Sequence, residues 1–147
     1  MKALVIYDSQ YGNTEKIAKA IGGAIGTDTK VARPAEVKET DLPSAEALII
    51  GSPTQGGRPT KALQDFLSAL PGTAIKGKKV AAFDTRFSST WARIFGFAAG
   101  RIARALKGKG GNLVVPPEGF FVTGTKGPLK DGELERAATW GKKVAGG

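Results

Sequence analysis

Three short apolar runs, Ala3 to Tyr7, Ala47 to Gly51 and Val80 to Phe83, punctuate a chain otherwise patterned for amphipathic helices. Unbroken and not alternating, each reads as a strand buried on both faces, as in a parallel sheet covered by helices on either side. Ile17, Ala18, Ile21, Ala24 and Ile25 recur at helical spacing in residues 14–26, and Leu63, Phe66, Leu67 and Leu70 do so in residues 60–70 until Pro71-Gly72 stops them. A third stripe covers 91–106 through Trp91, Ile94, Phe95, Ala98, Ile102, Ala105 and Leu106, leaving Arg93, Arg101 and Arg104 outward. A weaker strand near Lys30 to Arg33 and a last pair, Leu113 to Val115 and Gly119 to Val122, complete five strands. Pro116-Pro117 must interrupt the last, because proline donates nothing to a ladder. Residues 131–145 are expected to close the chain as a helix capped by Asp131. Alternating strand and helix predict an α/β fold, a doubly wound parallel sheet, in a single domain spanning 1–147.

In such a sheet the ligand lies beyond the C-terminal ends of the strands, where the winding direction reverses. Three unusual turns fall there: Ser9-Gln10-Tyr11-Gly12-Asn13-Thr14 after the first strand, Gly51-Ser52-Pro53-Thr54-Gln55-Gly56-Gly57 after the third, and Asp84-Thr85-Arg86-Phe87 after the fourth. The first leads directly into a helix. Its free N–H groups, the dipole behind them and the hydroxyls of Ser9 and Thr14 form an anion site, and Gly12 lets the backbone come close. With no lysine in the turn, this differs from the GxxxxGK[ST] cradle of nucleoside triphosphatases and suits a terminal monophosphate.

Composition narrows the chemistry further. With no cysteine and no histidine, thiol chemistry, thiolate-held iron–sulfur clusters and the usual neutral-pH proton shuttle are excluded. No apolar run reaches membrane-spanning length and no leader pattern precedes the first strand, so a cytoplasmic protein without membrane insertion is expected. Residues 1–73 hold 8 Lys/Arg against 8 Asp/Glu and residues 74–147 hold 14 against 5, so the net charge of +9 lies in the second half. A solvated basic face and a surface for an anionic ligand or acidic partner both fit that asymmetry.

Over essentially its whole length the sequence resembles a flavodoxin, through the three turns in order at the ends of the first, third and fourth strands. The resemblance implies a three-layer sheet of strand order 2-1-3-4-5 that binds FMN, the phosphate on Ser9–Thr14 and the flavin ring between the second and third turns. It places at Gln55-Gly56 a peptide able to turn its carbonyl toward flavin N5, for which Gly56 offers positive φ at little cost. Phe87 stands where the family stacks a tyrosine on the ring, and Asp84 and Thr85 would offer backbone groups to the pyrimidine edge. Arg86 is a solvated cation, a group at that edge or a partner dock; in the latter cases it adds positive charge beside the flavin. The sequence departs from the family in two ways. Gln55 replaces a bulky side chain over the second flavin face, leaving that face open or covered by Trp91 or a neighbouring molecule, and the chain is basic where typical members are acidic.

The function implied is an FMN-dependent electron carrier, a monomer exchanging electrons with redox partner proteins, acidic ones by its charge. The alternative is a flavodoxin-like NAD(P)H quinone reductase, which the uncovered face favours and the short chain disfavours. A phosphoacceptor receiver domain would need clustered acids after the first strand, where only Asp8 stands. Nucleic-acid binding would need aromatics interleaved with the cations, and is not expected.

Overall fold

The protein's computed structural model describes residues 1–87 and 97–147. Strands β1 (Ala3–Tyr7), β2 (Thr29–Ala32), β3 (Ala47–Pro53), β4 (Lys79–Arg86), β5 (Asn112–Leu113) and β6 (Glu118–Phe121) form one sheet in the order β2-β1-β3-β4-β5. Strand β6 also pairs with β4, further along it, and every pairing is parallel. Helices α1 (Asn13–Ile25), α2 (Asp41–Ser44), α3 (Lys61–Ala69), α4 (Gly72–Ile75), α5 (Ala98–Gly108) and α6 (Glu133–Gly146) supply the crossovers.

Successive residues of the buried strands point to opposite faces of the sheet. Leu4, Ile6, Leu48, Ile50, Val80 and Ala82 meet Leu63 and Leu67 of α3 and Ile102 and Leu106 of α5. Their neighbours Val5, Tyr7, Ile49, Ala81 and Phe83 meet Ile17 and Ile21 of α1 and Ala137, Trp140 and Val144 of α6. Three layers follow, with a core on each face of the sheet. Phe83, Phe120 and Trp140 lock the second core through edge-to-face contacts with centroids 6.0–6.2 Å apart.

The largest differences from the sequence reading lie at the ends of elements. Strand β4 does not stop at Phe83 but continues through Arg86, because Glu118–Phe121 pairs with Phe83–Arg86 once the Pro116-Pro117 break has passed. The last helix is not capped by Asp131: Gly132 takes the cap position at φ 85°, with no side-chain bond there. Glu133 instead buries its carboxylate against the Phe121 N–H and Arg136, and Arg136 holds its pKa below the usual carboxylate range against the opposing effect of burial. Of the third helical stripe, Ala98 to Leu106 lies in α5, whereas Trp91, Arg93, Ile94 and Phe95 lie outside the described residues.

At Gly51 a Cβ would sit 2.0–2.3 Å from the Phe83 ring, so this strand position, next to the second turn, admits no side chain while the aromatic cluster stands. Gly51→Ala should destabilise the fold by about 1–3 kcal/mol, the usual range for overpacking. Urea unfolding of the variant, alone and with Phe83→Leu, checks the cause: relief by the second substitution is expected.

Candidate functional site

At the C-terminal edge of the sheet, on the line where β1 winds outward to β2 and β3 winds the other way, the three turns enclose a cleft open to solvent.

The first turn presents an uncapped helix end. Gly12, at φ 90°, is the N-cap residue and offers no side-chain acceptor. The first intrahelical bond is donated by the Lys16 N–H to the Gly12 carbonyl, so the N–H groups of Asn13, Thr14 and Glu15 have no carbonyl four residues back within α1. Ser9 Oγ accepts the Gly12 N–H at 3.0 Å and folds the turn on itself. Behind it, Asp8 Oδ1 accepts the Ser9 N–H, and Arg33 donates to both Asp8 Oδ1 and the Ser9 carbonyl at 3.3 Å. Asp8, behind the turn, is thus offset by a cation that also braces the turn.

In the second turn, Gln55 and Arg58 exchange both backbone hydrogen bonds around Gly56 at φ 56° and Gly57 at φ 80°. This is a two-residue hairpin of the type that demands positive φ at both central residues. The Gln55 carbonyl is committed to the Arg58 N–H, so the peptide free to rotate at the tip is Gly56-Gly57 and not Gln55-Gly56. The Gln55 side chain donates from Nε2 to Gln10 Oε1 at 2.7 Å, linking the second turn to the first across the cleft mouth.

The end of β4 ties the turns together. The Thr85 carbonyl accepts the Thr54 N–H at 2.9 Å, and the buried hydroxyls of Thr85 and Thr14 lie 2.8 Å apart. Asp84 is fully buried, does not border the cleft, and collects donors: Arg86 from Nε and NH2 at 2.7 Å each, the Ala99 N–H at 2.9 Å, and the Thr54 hydroxyl. Burial pushes its pKa up, and the Arg86 fork is the strongest of the influences pulling it back. Arg86 itself lies over the Phe97 ring, 3.4 Å from the centroid, and passes where a Cβ on Gly119 would stand. The reading of Arg86 as a solvated loop cation is therefore corrected. It borders the cleft with its charge paired to the buried Asp84 carboxylate.

The cleft brings together Ser9, Gln10, Tyr11, Asn13 and Thr14 from the first turn, Pro53, Thr54 and Gln55 from the second, and Thr85, Arg86 and Phe87 from the third. Gly12, Gly56, Gly57 and Asp84 are not among the residues that line it. Tyr11 and Phe87 are 45% and 42% exposed, the two large aromatics of the described residues left open to solvent. Val122 and Thr125 complete the wall, and sequence reasoning missed both. The signal was available in Thr123-Gly124-Thr125-Lys126-Gly127, a run of small and hydroxyl residues following the last strand of a parallel sheet, which must emerge at the same edge. Trp91, weighed as a cover for the second flavin face, lies outside the described residues.

The flavodoxin family model matches residues 5–140, nearly the whole chain. The chain belongs to the flavodoxin family. Among its relatives, a flavodoxin of Klebsiella pneumoniae is 29% identical over 96% of this chain and 91% of that protein, and flavodoxin 1 of Escherichia coli K12 is 30% identical over 86% and 74%. The solved structure of an archaeal flavodoxin superposes with a TM-score of 0.85 at 29% identity, over 99% of this chain and 97% of that one. The strand order and the cleft at the β1/β3 reversal are those of the family, itself a known example of the rule that ligands bind at such a point.

Arg86→Ala would leave the Asp84 carboxylate buried without its main counter-charge, a change that costs about 3–5 kcal/mol in buried pairs. A carboxyl whose folded pKa is raised favours folding below its unfolded value and loses that contribution as pH rises through the folded value. Removing Arg86 raises it further, so the stability deficit of the variant should be largest at neutral pH and shrink in mild acid as Asp84 takes up a proton. Denaturant titrations at the two pH values check the sign.

Proposed function

We propose that this flavodoxin holds FMN in the cleft and carries electrons between redox partner proteins, with the phosphate on the Ser9–Thr14 turn and the ring beside Phe87. One observation carries the assignment: an uncapped helix end opens into the same cleft as two exposed aromatic side chains. Backbone N–H groups and a helix dipole suit a phosphate, while an apolar planar side chain in an otherwise polar turn suits a planar ring. No carboxylate is present among the described residues lining the cleft, so a dianion meets no direct repulsion there. Bound FMN supplies reversible one- and two-electron redox chemistry.

The protein's own residues bind, orient and tune. Asn13, Thr14 and Glu15 offer donors to the phosphate. The Thr14–Thr85 hydroxyl pair fixes the distance between phosphate turn and ring turn. The Gly56-Gly57 peptide can rotate its carbonyl inward while the two Gln55–Arg58 hydrogen bonds persist, which gives the hairpin an acceptor for a proton at flavin N5. Gln10 and Gln55 span the mouth by a contact that a bound cofactor can displace. Electron transfer needs no acid, base or nucleophile from the protein.

Exposed Lys16, Arg58 and Lys126 stand on elements around the cleft, and the second half of the chain carries the excess positive charge. That field supports acidic partners, docking on this rim as a monomer. None of the described helices is long and apolar enough to cross a membrane, and the cytoplasm is the compartment proposed.

The purified protein should take up FMN without a covalent bond, and prefer it to riboflavin. Phe87→Ala should weaken FMN by about tenfold, from lost stacking and burial, and relieve the quenching of flavin fluorescence. Equal affinity for FMN and riboflavin would remove the phosphate assignment, and sustained NAD(P)H–quinone turnover would move the function to the reductase alternative. Electron transfer to acidic partners should slow as salt rises; stopped-flow rates that stay flat with ionic strength would remove the electrostatic partner reading.

A further inference from the structure

The segment from Val122 to Leu129 forms a fourth wall of the cleft, built as a closed hairpin. Val122 bridges Leu129, the Thr123 N–H and hydroxyl both donate to the Pro128 carbonyl, and the Gly127 N–H donates to the Gly124 carbonyl. Its tip is fastened to the start of α1. Asn13 Nδ2 donates to the Lys126 carbonyl at 3.2 Å, so this buried side chain acts as a strut. Gly127, at φ 92°, lies so close to the Asn13 amide that a Cβ would come within 2.6 Å of it. The residue between the strut and the cleft-lining Thr125 is Lys126, whose Nζ lies 6.0 Å from the ring centroid of Tyr11, the residue just before the helix cap.

We infer that Lys126 is a phosphate-recognising cation of the FMN site, presented to the N-terminus of α1 by the loop fastened to it. This rests on the FMN reading above and extends it to a residue outside the three turns. The first turn has no cation of its own. Arg33 behind it is engaged with Asp8 and the Ser9 carbonyl, and Arg86 is engaged with Asp84, so neither is a free counter-charge for the phosphate. Lys126 is exposed, and among the described residues no carboxylate lies within ion-pair distance of it. Its backbone is held by Asn13 while its stem can swing from the Tyr11 face toward the helix end. Lysine is suited to this as a compact point charge on a flexible stem. An anion gathered between a helix terminus and an ammonium group is stabilised from both sides, and a neutral ligand of the same ring gains nothing from either.

The test is titration of the full chain, freed of flavin, with FMN and with riboflavin, followed by flavin fluorescence, for the native protein, Lys126→Gln and Lys126→Arg. The expected result is native preference for FMN, a loss of about fivefold in FMN affinity in Lys126→Gln, the order of an exposed ion pair, unchanged riboflavin affinity, and retention of FMN affinity in Lys126→Arg. The native preference should also fall with salt more steeply than that of Lys126→Gln. Native preference for FMN with Lys126→Gln unchanged toward both ligands would overturn the inference and leave the FMN reading standing. Equal weakening of both ligands would overturn it too, placing Lys126 at the ring. A native protein that does not distinguish FMN from riboflavin would overturn the reading and the inference together.

Discussion

The three residues at the end of β4 hold the cleft together, and they do so from beneath it. Asp84 is a carboxylate taken wholly out of water, which is costly unless each lone pair finds a donor. Its donors come from different elements: Arg86 from its own strand, Ala99 from the start of α5, and Thr54 from the second turn. Thr85 adds the first turn through Thr14 and the second again through the Thr54 N–H. Three chain segments far apart in sequence are thereby registered against one strand end. The α5 terminus gains a negative partner for its dipole at the same time.

This arrangement separates holding from binding. Charged groups that brace the site, Asp8 with Arg33 and Asp84 with Arg86, are paired with each other, so apart from the paired Arg86 the described lining is mainly hydroxyls, amides, backbone N–H groups and two aromatic rings. Such a surface suits a charged tail held by dipoles and a flat ring held by contact. Exposed cations such as Lys16, Arg58 and Lys126 lie outside these pairs.

Much of this was legible in the sequence because buried parallel strands write their burial as continuous apolar runs. Ala3 to Tyr7, Ala47 to Gly51 and Val80 to Phe83 gave the sheet, the line of reversal and hence the edge on which to look for turns. What remained hidden depended on pairing across long separations. Nothing local tells that Asp84 and Arg86 face each other in a strand extended by Glu118–Phe121, and they read instead as a polar turn. The same holds for Gly119, whose missing side chain admits the Arg86 guanidinium, and for Asn13, which reads as a phosphate ligand yet spends its amide on Lys126. The Asp131 cap failed for a local reason: Gly132 can take the left-handed conformation that ends the preceding turn, and the helix starts after it. The loop after the last strand could have been placed at the cleft by topology alone, since every strand of a parallel sheet delivers its C-terminal end to the same edge.

The central claim is that the uncapped start of α1 receives the phosphate while the ends of β3 and β4 receive the ring. Amide chemical-shift mapping of the flavin-free protein titrated with FMN and with riboflavin examines it at the atoms concerned. The account predicts that FMN produces large, saturable shifts at the N–H groups of Asn13, Thr14 and Glu15 together with Gln55 to Gly57 and Phe87. Riboflavin should reproduce the second group and leave the first nearly unmoved. Shifts confined to other surfaces, or identical shifts at the α1 terminus for both ligands, would contradict it.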